Sequence, residues 1–191
     1  NDDHRLKPGI RISGGRLRGR KVLAPPGLEP TRPTPGIVRE ALFSILGQEI
    51  QIGAFCDMYA GTGSVAIEAI SRGAPRATAI ENNKIALECM RKSSQELGLE
   101  GDLEIVPADA AKFKRKPVFH VVFADPPFGA IPEDLMDRCL ILCRPGGWAV
   151  LQWPSDRPRE WPEDHQVRKY GSSMLVMKRK SLQAEDEPIE G

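Results

Sequence analysis

The chain has 191 residues, 40% of them hydrophobic, and its 27 Lys and Arg against 26 Asp and Glu give a formal net charge of +1. That length supports one well-buried core with a small appendage rather than two full domains. Charged residues interrupt every apolar stretch before the roughly 20 residues of a bilayer-spanning helix, so no membrane association is expected; the four cysteines form no CxxC pair, which argues against a zinc ribbon and for reduced core thiols in a cytoplasmic protein with no metal.

In chain order, position 1 is Asn, so a preceding start is expected, and residues 1–5 hold no hydrophobic signal core. Arg5, Lys7, Arg11, Arg16, Arg18, Arg20 and Lys21 follow with no acidic residue among positions 5–21. Residues 10–23 read as short strand pieces broken by Gly14-Gly15 and Gly19, a basic hairpin. The periodicity of Val38, Leu42, Ile45 and Leu46 predicts a helix over 35–46, completing an N-terminal extension over 1–48.

Residues 49–181 form the catalytic domain in this reading, alternating strands with helices. A strand over 54–60 leads through a Gly-rich turn to a helix carrying Val65, Ile67, Ala69 and Ile70. Next come a strand over 77–81, an amphipathic helix over 82–97 ending at Gly98, and a strand over 103–108. A strand over 120–124 ends at Asp125-Pro126-Pro127, followed by a helix over 133–142, the turn Arg144-Pro145-Gly146 and a strand over 147–153. Cys139 and Cys143 are expected to share a helix face. This rhythm predicts an α/β, Rossmann-like, mostly parallel sheet. After a Pro-rich surface loop over 154–162, strands over 166–170 and 174–179 are separated only by Gly171-Ser172-Ser173, which predicts an antiparallel C-terminal hairpin. Residues 182–191, with Glu185, Asp186, Glu187 and Glu190, are expected to be a disordered acidic tail.

In such sheets ligands gather at the carboxyl ends of the strands. The first strand leads into Asp57-Met58-Tyr59-Ala60-Gly61-Thr62-Gly63, where Ala60, Gly61, Thr62 and Gly63 bring backbone N–H groups to a helix start, a place for a carboxylate or phosphate. Glu81, after the next strand, has two acceptor oxygens suited to a ribose diol. Asp109 can accept from an adenine amino group beside the backbone of Ala110. Taken singly, these residues also fit a tight turn, a dinucleotide-binding GxGxxA or solvated strand ends; their placement on successive strand ends makes the case for a nucleoside pocket. The fourth strand end, Asp125-Pro126-Pro127-Phe128, discriminates further. The Asp125 carboxylate and Pro126 carbonyl can accept from an exocyclic NH2, two prolines stiffen the turn, and Phe128 offers a face for a base.

At these residues the chain resembles the bacterial family that methylates a guanine N2 in small-subunit (16S) ribosomal RNA. The resemblance runs from Arg11-Ile12-Ser13-Gly14-Gly15 through Thr31-Arg32-Pro33-Thr34, Val38-Arg39-Glu40-Ala41-Leu42-Phe43, the turn at 57–63, Glu68-Ala69-Ile70-Ser71-Arg72-Gly73-Ala74 and residues 125–128 to Lys169-Tyr170-Gly171. It implies a seven-stranded sheet with one reversed strand, S-adenosylmethionine held by Asp57, Gly61, Gly63, Glu81 and Asp109, and catalysis at 125–128. Phe128 stands where the family usually has Tyr, and Ala66 where Gly is common. The basic hairpin, through Arg11, Arg16, Arg18, Arg20 and Lys21, is then expected to hold RNA phosphates, with Arg32 and Arg39 on the approach; Arg39 fits a helix-surface ion pair almost as well. A target guanine in folded RNA must be extruded to reach Phe128. The expected partner is small-subunit rRNA, naked or in an assembling particle, met by a monomer.

Other functions fit fewer of these features. A DNA adenine-N6 methyltransferase can use the same four-residue motif, but little chain remains for sequence recognition. A protein-glutamine methyltransferase commonly has Asn at the position of Asp125. An NAD-dependent oxidoreductase accounts for the Gly-rich turn and Glu81 alone, and a non-catalytic RNA-binding ribosome-assembly factor accounts only for the charge.

Overall fold

The computed structural model describes residues 6–26, 35–127, 129 and 131–183; Phe128, Arg32 and the tail beyond Gln183 lie outside the described residues. Strands β1 (Lys7–Arg11) and β2 (Lys21–Ala24) pair antiparallel as the expected basic hairpin. Helix α1 (Pro35–Leu46) follows, and a 3-10 turn, Gly47–Gln51, leads into the main sheet.

That sheet contains β3 (Phe55–Asp57), β4 (Ala77–Glu81), β5 (Leu103–Pro107), β6 (Phe119–Ala124), β7 (Cys143–Pro154), β8 (Gln166–Tyr170) and β9 (Ser173–Arg179). Its order is β5-β4-β3-β6-β7-β9-β8, with β9 alone running opposite to the other six strands. Helices α2 (Ser64–Ser71), α3 (Lys84–Glu96) and α4 (Leu135–Leu142) connect the parallel strands. The chain builds outward from β3 to β5, then returns to place β6 on the other side of β3. This reversal opens a crevice between the carboxyl ends of β3 and β6. Asp57 and Asp125 stand at its two sides.

β6 is buried along its whole length, as a central parallel strand covered on both faces should be. One core joins the sheet to the hairpin, α1 and α2, through residues such as Val22, Leu42, Ile67 and Val121; the other packs Leu135, Met136 and Cys139 of α4 against Val122, Leu151 and Trp153. All four cysteines are buried free thiols. Asn83 caps α3, its Oδ1 accepting the N–H groups of Ile85 and Ala86 at 3.0 Å. No helix among the described residues is long and apolar enough to cross a membrane.

Three local expectations are corrected. The first core strand stops at Asp57, because the backbone must leave the sheet to form the Gly-rich turn. The turn at 144–146 is a bulge inside β7: pairing jumps from Phe119↔Cys143 to Val121↔Trp148, and Lys180 holds the excursion through Gly146 N–H to Lys180 O (3.0 Å) and Lys180 Nζ to Cys143 O (2.7 Å). Cys143 therefore opens β7 and shares no helix with Cys139.

Candidate active site

The crevice holds a cavity of about 260 Å³. The strand ends line it with Asp57, Tyr59, Ala60, Gly61, Thr62, Asp125 and Gln152, Ser64 and Val65 of α2 add to it, and the N-terminal extension closes it with Ile10, Val38, Arg39 and Leu42. Of the residues expected at the site, it unites Asp57, Ala60, Gly61, Thr62 and Asp125. A water-sized hollow of about 10 Å³ adjoins it, shared by Asp125, Pro126, Gln152, Trp153 and Ser173. Pro127 is exposed beside Pro126 and lines neither. Pairing of Ala124 with Leu151 sets Gln152 next to Asp125, and the Gln152 Nε2 lies 3.5 Å from Ser173 Oγ.

Asp57 is only 1% exposed and accepts the N–H of Tyr59 at 3.2 Å. Burial pushes its carboxyl up to about 8; the Tyr59 N–H opposes the rise, and Asp125 and Glu81 nearby add to it. A cation arriving beside it would favour the carboxylate and displace the proton. Chain neighbours aside, no atom of the described residues lies within 4 Å of where a β-carbon of Gly61 would stand, so the backbone there is open to a ligand. Gly63, the left-handed N-cap of α2 (φ 86°), packs against Met90 instead of lining the cavity.

Glu81 differs from the simple diol acceptor expected. Its Oε2 accepts the Gly61 N–H at 2.7 Å, and its Oε1 accepts those of Asn82 and Asn83 at 2.9 Å, so the carboxylate ties the end of β4 to the Gly-rich turn. A carboxylate offers about four acceptor positions, which leaves one for a ligand hydroxyl. Asp109 caps the 3-10 turn Ala110–Lys112 by accepting the Ala111 N–H at 2.9 Å; it is exposed, while Ala110 is buried. Ala108 N–H bonds the carbonyl of Glu81 at 3.0 Å, so Asp109 continues the row of strand ends away from the cavity.

The hairpin is seated firmly. Ser13 gives its N–H (2.7 Å) and Oγ–H (3.0 Å) to Glu68, Ser71 Oγ donates to the carbonyl of Gly14 (2.6 Å), and Leu17 N–H donates to Ser71 Oγ (2.9 Å). Its five basic residues are exposed. Arg11 donates to the carbonyl of Gly19 at 3.0 Å, Arg16 pairs with Asp102 at 3.2 Å and Arg20 donates to the carbonyl of Glu96 at 3.4 Å, whereas the side chains of Arg18 and Lys21 have no polar partner among the described residues.

Sequence reasoning did not single out Tyr59, Gln152 or Ile10. Gln152 had a signal, a polar residue interrupting the apolar end of a strand; Ile10 had none. Arg39, expected on the RNA approach or in a helix-surface ion pair, lines the cavity and pairs with Glu68 at 3.3 Å, and that pair is buried instead of lying on the surface.

The family described as conserved hypothetical protein 95 matches residues 10–178. Ribosomal RNA small subunit methyltransferase D of Escherichia coli is 36% identical over 143 residues, 73% of this chain and 69% of that protein. Its namesake in Haemophilus influenzae is 32% identical over 180 residues, 87% of this chain and 90% of that one. Among solved structures, the putative methyltransferase yhhF of Escherichia coli aligns with a TM-score of 0.74 at 28% identity, covering 91% of this chain and 99% of the other. The chain belongs to the conserved hypothetical protein 95 family, that of the ribosomal RNA small subunit methyltransferases D.

Proposed function

We propose that this protein transfers a methyl group from S-adenosylmethionine to the exocyclic N2 of a guanine in small-subunit ribosomal RNA. The observation that carries this is the position of Asp125 and Pro126: a carboxylate and a backbone carbonyl at the junction of the main cavity and the adjoining hollow, in a chain whose relatives are named as rRNA methyltransferases.

The cavity suits the donor. Its buried Asp57 carboxyl is ready for an ammonium group, Gly61 opens the backbone beside Ala60 and Thr62, and Glu81 keeps one acceptor position for a ribose hydroxyl. In this reading Gly63 shapes the turn, and Asp109 and Ala110 receive the adenine. When bound, S-adenosylmethionine supplies a methyl group on an electrophilic sulfonium. The protein has to align the acceptor nitrogen. An aryl amine is a weak nucleophile because its lone pair is delocalised into the ring. Acceptors at Asp125 and the Pro126 carbonyl, engaging its two N–H bonds, favour a pyramidal nitrogen whose lone pair is available, and the surplus proton leaves after transfer. Phe128 is assigned the stacking face for the base.

The same reading makes residues 1–48 the RNA-contacting extension and residues 49–181 the catalytic domain of a cytoplasmic monomer that acts on rRNA in an assembling particle. The test is incorporation of labelled methyl groups into small subunits from cells lacking the protein, with nucleoside analysis. N2-methylguanosine is the expected product; N6-methyladenosine or unlabelled RNA overturns the assignment. Asp125→Ala should lower turnover on the order of 100-fold or more while cofactor affinity holds.

A further inference from the structure

We propose that Arg39 is the counter-ion for the α-carboxylate of an S-adenosyl amino acid bound in the main cavity. This rests on the methyltransferase reading above and adds a ligand from α1, away from the strand ends where such ligands are sought.

Arg39 is 8% exposed and lines the cavity together with Asp57 and Ser64. Its Nε faces Glu68 at 3.3 Å and its Nη2 donates to the carbonyl of Arg11 at 2.9 Å. Its Nη1 makes no hydrogen bond among the described residues. Glu68, fully buried, also serves Arg72, whose Nε lies 3.3 Å from it. Two guanidiniums thus face one carboxylate, and no other acidic side chain pairs with either arginine among the described residues. Arg72 is partly exposed, lies over the ring of Phe43 and donates from Nη2 to Ser13 Oγ at 3.1 Å, while its Nε is buried without a hydrogen-bond partner among the described residues. Arg39 is therefore paired once, with Glu68, and its Nη1 keeps unused donors in a side chain that lines the cavity.

The same cavity carries the Asp57 carboxyl, where an arriving ammonium favours the carboxylate and displaces its proton. A ligand bearing a carboxylate and an ammonium on one carbon meets both kinds of wall. A phosphate would satisfy Arg39 but leave Asp57 without a cation. The start of α2 at Ser64 adds its dipole to the anion side. This division of charge favours a zwitterionic amino acid over an RNA phosphate.

The test is calorimetric titration of the full chain with S-adenosylhomocysteine and with its decarboxylated counterpart, which keeps the ammonium and loses the carboxylate. Arg39→Met should weaken S-adenosylhomocysteine binding roughly 10- to 100-fold and leave the decarboxylated ligand unchanged. Arg39→Lys should give a smaller loss confined to the carboxylate ligand, and it serves alone if the Met variant does not fold. Equal weakening of both ligands would reduce Arg39 to a wall residue and overturn the proposal. Unchanged affinity for both ligands with weaker binding of small subunits would transfer Arg39 to an RNA phosphate and overturn it as well. Failure of the wild-type protein to bind either ligand would bring down the methyltransferase reading itself.

Discussion

Asp57 concentrates the pH dependence of the site in one residue. Its carboxyl rises from an ordinary 3.8 to about 8, through burial first and then the proximity of Asp125 and Glu81, against the pull of the Tyr59 N–H. Between those values the folded protein holds a proton that the unfolded chain has released, so stability falls as pH rises through that window and levels off above it. Asp57→Asn removes the slope: its urea midpoint should stay nearly flat between about pH 5 and pH 8 while that of the wild type declines, and at the upper end the variant should be more stable on the order of 1–3 kcal/mol. An ammonium arriving beside Asp57 favours the carboxylate and expels the proton. Titration with S-adenosylhomocysteine near neutral pH, in two buffers of different ionisation enthalpy, should register that release in the wild type and lose it in the variant; equal heats in both buffers would separate Asp57 from the ligand. At this scale the sequence shows which acids end strands, because a strand followed by a Gly-rich turn is a local pattern. It does not show that Asp57 is buried to 1% exposure or that Glu81 already accepts three backbone N–H groups, since both depend on how neighbouring loops fold back.

The seam between the hairpin and α2 explains two sequence motifs together. Ser13-Gly14-Gly15 and the Glu68–Ser71 turn of helix are partners 55 positions apart along the chain, joined by Ser13 N–H to Glu68. Gly15 has φ 79°, and a β-carbon there would stand 1.8 Å from the Ser71 carbonyl oxygen. Gly19 has φ 85° with nothing among the described residues within 4 Å of a β-carbon, so it bears the conformational cost without the collision. Gly19→Ala should therefore cost about 1–2 kcal/mol, and Gly15→Ala more, on the order of 3 kcal/mol or above, because the seam must open. Urea unfolding gives the energies, and faster hydrogen exchange at the amides of Arg16 and Leu17, which bond Ser71, locates the damage. Equal costs for the two substitutions would mean the seam contributes nothing. The elements themselves are legible where apolar period and Gly or Pro punctuation agree: the helix over 35–46 and the strand over 77–81 have the bounds expected. The seam is not, because its polar contacts leave no periodic trace. The bulge in β7 reads as a plain turn for a related reason, since the Lys180 that holds it comes from the far side of the β8–β9 hairpin.

Over the whole molecule, the alternation of strands and helices reveals a parallel sheet, but not the reversal that sets β6 beside β3; that choice is made by how crossovers pack on the sheet faces. It decides function, because the reversal creates the crevice and the extension then roofs it: Ile10 of β1 lines the same cavity as Asp125. The net charge of +1 conceals this arrangement, in which a basic hairpin is joined to the wall of a cavity lined by both Arg39 and carboxyl groups. If RNA is held by that hairpin, its basic residues should not contribute equally. Arg11, Arg16 and Arg20 already spend hydrogen bonds on Gly19, Asp102 and Glu96, whereas Arg18 and Lys21 extend from the hairpin with no such commitment among the described residues. Removing one phosphate-neutralising charge should reduce the slope of log affinity against log salt by roughly 0.7–0.9. Arg18→Ala and Lys21→Ala should each lower the slope by about that amount for 16S rRNA transcripts, with smaller reductions for Arg11→Ala, Arg16→Ala and Arg20→Ala. S-adenosylhomocysteine affinity should stay constant throughout, because none of the five side chains lines the cavity. Slopes unchanged across all five variants would place the RNA-binding surface elsewhere on the molecule, and equal reductions would show that the internal hydrogen bonds of Arg11, Arg16 and Arg20 give way when RNA arrives.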